Sequence, residues 1–216
     1  MNHVKAGVKP HTQVLGLVQV ALFAALIIIM AFTPFLGYIP LGFTRATIIH
    51  IPVIIGALTL GPKKGAILGF VFGMTSLINN TINPTVTSFV FSPFYSLGEI
   101  HGGIGSVLIC FLPRILVGVT PYFVYRFLKE NCKAPMGVSL GAAGLFGALT
   151  NTILVMGLIL VFFKDAYAAA NGIGSGAVYG FILSVIGING VPEAIVAAVI
   201  TACVGKILLR SKLVTG

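Results

Sequence analysis

Residues 51–80 read IPVIIGALTLGPKKGAILGFVFGMTSLINN, and the middle of that run decides the fold. Two strongly apolar stretches flank the turn Gly61-Pro62-Lys63-Lys64-Gly65, which pairs the residues of a tight reversal with two charges that belong in water. This is the pattern of two membrane helices joined head to tail. Each arm runs for only about 14 strongly apolar residues, about 21 Å of helix, against a hydrocarbon core of about 30 Å. The arms are short, and what lies beyond them is polar. Continuing the first arm backwards reaches Arg45, and continuing the second forwards reaches Asn79, Asn80 and Asn83.

The rest of the chain supports a membrane setting. Its 216 residues are 57% hydrophobic and 8% charged, and the mean hydropathy is +1.09. A soluble domain carries roughly three times that charged fraction. The reading is an all-α membrane protein, with residues 1–216 forming a single six-helix transmembrane unit. Apolar runs predict spans at 13–33, 43–60, 65–78, 104–128, 137–163 and 188–209. The first is read as a retained span rather than a signal peptide, because the alternation that follows needs it. Lys5, Lys9, Lys63, Lys64, Arg126, Lys129, Lys133, Lys206, Arg210 and Lys212 then fall on one side. The positive-inside rule makes that side, with both termini, cytoplasmic. The connections 79–103 and 164–187 become outer segments folded over the helix ends.

Measured from these basic anchors, the polar intruders share a height. Arg114 lies 12 residues before Arg126, Asn151 lies 14 after Gly137 and Glu193 lies 13 before Lys206. With Arg45, Asn79 and Asn80 they reach roughly 18 to 24 Å above the cytoplasmic end. Charged groups at such depth face an interior cavity rather than lipid. Pairing of Arg114 with Glu193 is one reading of them, and a ligand pocket is the other. Two arginines against one glutamate leave a positive surplus. That surplus, with several amides, suits a small ligand bearing one carboxylate plus hydroxyl or amide groups. Few aromatics lie in the layer, although Phe91, Phe94 and Tyr95 of the 76–95 stretch SLINNTINPTVTSFVFSPFY stand close enough to stack on a ligand.

Small residues mark helix contacts. Gly65, Gly69 and Gly73 recur every fourth residue, the spacing that lets membrane helices approach closely. Ala21, Ala24 and Ala25 on the first span fit either internal packing or docking of another membrane subunit.

Several chemistries find no support. Gly56 and Gly61 before Lys63 fall short of a phosphate loop, because Pro62 intervenes and no Ser or Thr follows. The four acidic residues, Glu99, Glu130, Asp165 and Glu193, form no close pair for acid-base work, so no enzyme is expected. Scattered Cys110, Cys132 and Cys203, with His3, His11, His50 and His101, offer no metal-ligand spacing. The basic residues form no stripe with aromatics, so no nucleic-acid partner is expected. A secondary transporter often carries internal repeats, and none is visible between the two halves.

The run YIPLGFTRATIIHIPVIIGALTLGPKKGAILGFVFGMTSLINNTINPTVTSFVFSPF, residues 38–94, with FLPRILVG at 111–118, resembles the substrate-binding membrane subunits (S components) of energy-coupling factor vitamin transporters, most of all the pantothenate type. The resemblance implies six helices in a prokaryotic cell membrane and a vitamin site near the outer face, closed by loops. The candidate binding residues are Arg45, Asn79, Asn80, Asn83, Tyr95, Arg114, Asn151 and Glu193. It further implies a membrane coupling subunit, docked at Ala21, Ala24 and Ala25, and two cytoplasmic ATPases. The chain itself would then hold no cofactor, with ATP bound by those partners. Folate, pyridoxine and thiamine-precursor relatives share the scaffold, so the vitamin stays open at this stage.

Overall fold

The protein is described by a computed structural model covering residues 10–33, 36–41 and 44–211, with side chains from 14–33, 36–37 and 47–211. Lys5, Lys9 and Lys212 of the charge argument lie outside the described residues. The chain runs through helix α1 (Pro10–Phe32), an antiparallel hairpin of β1 (Tyr38–Leu41) and β2 (Thr44–Thr47), α2 (His50–Leu60) and α3 (Pro62–Ile82). A small hairpin, β3 (Ser96–Leu97) with β4 (Ile100–His101), precedes α4 (Ile104–Val117) and α5 (Thr120–Glu130). The long α6 (Met136–Ala170), α7 (Val178–Val185), a π turn at Ile186–Gly190 and α8 (Val191–Arg210) complete the fold.

Among the described residues, five segments are long and apolar enough to cross a membrane: Val14–Phe32, Pro62–Ile82, Ile104–Glu130, Met136–Ala170 and Ser175–Arg210. The sixth, His50–Leu60, is shorter. α2 and α3 are separated by Gly61 alone, at φ +88°, a conformation that a side chain would strain. Pro62 then starts α3, where its missing N–H costs nothing.

Small residues set the register of the bundle. A methyl at Gly65 would sit 2.0 Å from the Gly118 carbonyl oxygen, one at Gly69 2.2 Å from that of Arg114, and one at Gly73 2.8 Å from the Phe111 ring. As the α3 positions rise the α4 positions fall, so the two helices run antiparallel with backbones touching. Gly144 meets Ala197 and Thr201 in the same way, and Gly190 meets Thr152, which sets α6 against α8. These reversals bring Lys63 and Lys64, Arg126 to Lys133, and Lys206 to Arg210 to one end of the bundle.

Four span boundaries differ from expectation, one of them that of the last span, whose apolar segment begins at Ser175 rather than at 188. The second span does not begin at residue 43: residues 44–47 form β2, and α2 starts only at His50. Pro52 sits in its first turn, where helical N–H groups lack intrahelical partners anyway, and Thr44 and Thr47 suit a strand. The third span does not stop at residue 78, because Asn79 and Asn80 remain helical and Asn83 is the C-cap. The fifth span continues past residue 163 to Ala170, through non-helical angles at Phe163 that mark a kink. The 164–187 connection is accordingly mostly helical. Lys164 lies over the Tyr179 ring at 4.8 Å, tying the end of α6 to α7.

Two apolar clusters hold the helices. One gathers Ile27, Ile54, Leu68, Phe72, Leu140 and Ala197 from α1, α2, α3, α6 and α8. The other gathers Phe89, Ile109, Val155, Ile159 and Ile182 beneath the 83–103 connection.

Candidate functional site

At the end of the bundle away from the Gly61 turn lies a cavity of about 790 Å³, walled by α3, α4, α6, α7 and α8. That size falls in the roughly 300–1,000 Å³ range of small-molecule sites. Among the described residues it carries two charged side chains, Arg114 and Glu193, and a series of amides and hydroxyls.

The sequence Pro113-Arg114 explains how the arginine is held. Pro113 has no N–H, so the Ile109 carbonyl one turn earlier loses its helical donor. Arg114 Nη1 donates to that carbonyl at 2.7 Å. The guanidinium also lies 5.0 Å from the Phe91 ring centre and 5.6 Å from that of Phe72. A cation between ring faces gains about 0.5–2 kcal/mol from each contact. The side chain is thus buried, oriented and still part of the cavity wall.

The asparagines serve the loop and the cavity together. Asn80 Nδ2 donates to the Ser76 carbonyl at 2.8 Å, while its Oδ1 accepts from Ser88 Oγ at 2.9 Å. Asn83 Nδ2 donates to Asn79 Oδ1 at 3.0 Å, and the Asn83 N–H caps the helix on the Asn79 carbonyl. Buried Ser88 and Ser106 staple the connection further: Ser88 Oγ accepts from the Thr85 N–H, and Ser106 Oγ donates to the Phe89 carbonyl at 2.6 Å. Turn chemistry and a polar cavity wall are both present in this stretch.

Glu193 and Asn151 come from the other side. Glu193 is 7% exposed, and its Oε1 accepts the Thr47 N–H at 2.5 Å, which fastens the end of β2 to the first turn of α8. Arg126 and Glu130 form an ion pair on the exposed side of α5, whereas Arg114 and Glu193 both face the hollow.

Asn79, Asn80, Asn83, Arg114, Asn151 and Glu193 therefore share one hollow. Tyr95 does not line it; half-buried, it packs against the Phe89 cluster. Phe94 is 76% exposed, whereas Phe91 does reach the cavity. Arg45 lies in β2 rather than on a helix, and its side chain is outside the described residues. Ala21 and Ala25 are exposed, while Ala24 packs against the first apolar cluster.

Sequence reasoning missed Thr47, Thr152, Asn171 and Asn189, and the aromatic walls Phe72, Tyr167 and Phe181. Asn189 had a usable signal. It precedes Glu193 by four residues in an apolar run, and it belongs to a π turn, a deformation frequent at functional sites. The aromatic walls correct the expectation of an aromatic-poor layer.

The model of the ECF transporter substrate-specific component matches residues 16–205. The pantothenic acid transporter PanT of Lactococcus lactis subsp. cremoris is 35% identical over 190 residues, covering 88% of this chain and 90% of that protein. The pantothenate transporter PanT of Leuconostoc mesenteroides is 29% identical over 203 residues, covering 89% and 91%. With the apolar helices, these bacterial relatives identify a multi-pass transport protein of the prokaryotic cell membrane. The chain belongs to the family of substrate-specific components of ECF transporters.

Proposed function

We propose that this chain captures pantothenate in the cavity between α3, α4, α6 and α8 and relies on partner subunits for energy. The observation that carries the reading is a buried arginine, braced by two rings and a carbonyl, in a hollow whose described polar lining is otherwise amides, hydroxyls and a carboxylate, set against aromatic and aliphatic walls. Pantothenate matches that lining: its carboxylate suits Arg114, its central amide suits Asn79, Asn80 or Asn151, and its hydroxyls suit the acceptors and donors opposite. Its two methyl groups suit the apolar wall of Val155, Ile159 and Phe181. The names of the two relatives support the same vitamin.

In this reading both termini and the basic end of the bundle are cytoplasmic, and the cavity faces outward. Cys132, exposed after α5, tests that orientation. A membrane-impermeant thiol reagent should label it in inside-out vesicles and spare it in right-side-out ones; the reverse result would invert the topology. Ala21 and Ala25, exposed on α1, are proposed to meet a membrane coupling subunit that also carries two ATPases.

The deciding experiment separates binding from uptake. The purified chain in detergent should bind labelled pantothenate without nucleotide, whereas accumulation in proteoliposomes should need the coupling subunit, the ATPases and ATP. Replacing Ala21 and Ala25 together by Leu should stop uptake and leave binding intact. Absence of pantothenate binding, or gradient-driven uptake by the chain alone, would reject the proposal.

A further inference from the structure

The amides of the cavity wall differ in how they are engaged. Asn80 is held at both of its polar atoms, by the Ser76 carbonyl and by Ser88 Oγ. Asn79 Oδ1 accepts from Asn83 Nδ2, and Asn171 Nδ2 donates to the Tyr167 carbonyl. Asn189 has a partner as well. Asn151, near the middle of α6, is different. It lines the cavity at 8% exposure, yet its Oδ1 is sealed from solvent and has no hydrogen-bond partner. Buried amide oxygens are normally bonded, and one left without a donor costs free energy that an incoming donor recovers. Turning the amide about its Cβ–Cγ bond exchanges Oδ1 and Nδ2 in place, and no bond at Oδ1 resists the turn. His50 and Thr201 also carry unpartnered buried atoms, but neither lines the cavity. Asn151 is where a ligand can supply the missing donor.

We infer that Asn151 reads the central amide of the ligand, its Oδ1 accepting the amide N–H, and that it sets a preference for an amide-linked ligand over an ester-linked one. The inference rests on the vitamin-binding reading of the same cavity. Position supports the assignment. Asn151, Val155 and Ile159 follow one another at four-residue spacing, so they stand on one side of α6, about 6 Å apart, and all three line the cavity. In pantothenate a single carbon separates the amide from the carbon that bears the two methyl groups. Methyl groups set against Val155 therefore leave the amide one turn along the helix, beside Asn151. An amide N–H there gives Oδ1 the donor it lacks. An ester oxygen in the same place sets acceptor against acceptor and leaves Oδ1 unpaired.

Competition against labelled pantothenate on the purified chain tests this. The competitors are pantothenate and its ester analogue, in which oxygen replaces the amide nitrogen while the carboxylate, hydroxyls and methyl groups stay. The wild-type protein should prefer the amide by about tenfold or more, the effect of leaving a buried acceptor unpaired. Asn151→Leu keeps the shape of the side chain without its polar atoms. It should weaken pantothenate binding about tenfold and bring the amide-to-ester ratio to within about threefold. The melting temperature of the ligand-free variant should not fall, because the oxygen it removes had no partner. An amide that serves only the fold predicts the reverse, a lower melting temperature and an unchanged ratio. Asn151→Ala reads the same ratio if the leucine variant does not fold. If pantothenate binds but the wild-type ratio lies within threefold, or if either variant keeps the wild-type preference, the inference falls alone. If the wild-type chain binds no pantothenate, the vitamin reading falls and carries the inference with it.

Discussion

The two halves of α3 present opposite solutions to the same problem of crossing an apolar medium. Its first half carries Gly65, Gly69 and Gly73, and there α4 approaches until backbone meets backbone. Its second half carries Ser76, Asn79 and Asn80, with Asn83 as the cap, and all four line the cavity. Close backbone packing leaves no volume for a ligand, while polar side chains within the membrane must find partners or enclose a space. The junction is Arg114, whose carbonyl lies against Gly69 and whose guanidinium faces the cavity. The tight seam thus aims the charge at the open end.

That contrast can be broken at its most sensitive point first. Arg114→Ala removes the charge from the open half and should weaken pantothenate binding about a hundredfold, roughly 3 kcal/mol for a lost charged hydrogen-bonding partner. Isothermal titration of the purified variant measures it, and an affinity within threefold of wild type would separate the arginine from the ligand. Gly69→Ala acts on the tight half. Its methyl would stand 2.2 Å from the Arg114 carbonyl oxygen, a backbone atom that yields only if α4 moves. Overpacking of this kind costs about 1–3 kcal/mol, so thermal stability should drop, and binding should weaken about tenfold as Arg114 shifts. Unchanged values for both would show that the seam does not position the site. Tyr95→Phe sharpens the boundary of the cavity with the smallest effect. Because Tyr95 packs behind the wall, its hydroxyl should be worth less than about twofold in affinity, near the noise of a single solvated hydrogen bond. A tenfold loss would put Tyr95 back among the binding residues.

Much of the site was legible because the chain is so apolar. In such a background Asn79, Arg114, Asn151 and Glu193 stand out singly, and counting helical rise from basic anchors puts them at one height. Where the backbone leaves helical geometry the count loses its ruler. Residues 38–60 contain short apolar runs that fit a strand or a helix equally, so the expected span took in Arg45, which lies in β2 ahead of the helix. Tyr95 and Phe91 are four residues apart in one connection, yet Phe91 lines the cavity and Tyr95 packs behind it, a difference that no local pattern in the connection signals. Phe72, Tyr167 and Phe181 carried no signal at all, since aromatics in apolar helices are usually core.

By itself the sequence determined a membrane bundle, the reversals of its path and the height of its polar side chains, because hydropathy, glycine spacing and helical rise act locally along the chain. Only the tertiary structure decided which face each side chain presents, that Thr47 reaches Glu193, and that Arg114 rests on a carbonyl freed by Pro113 between two rings. Apart from the Ile109 carbonyl, which belongs to the same helix as Arg114, those outcomes depend on contacts between residues far apart in sequence, and such contacts are fixed by the packing of whole helices rather than by any single segment.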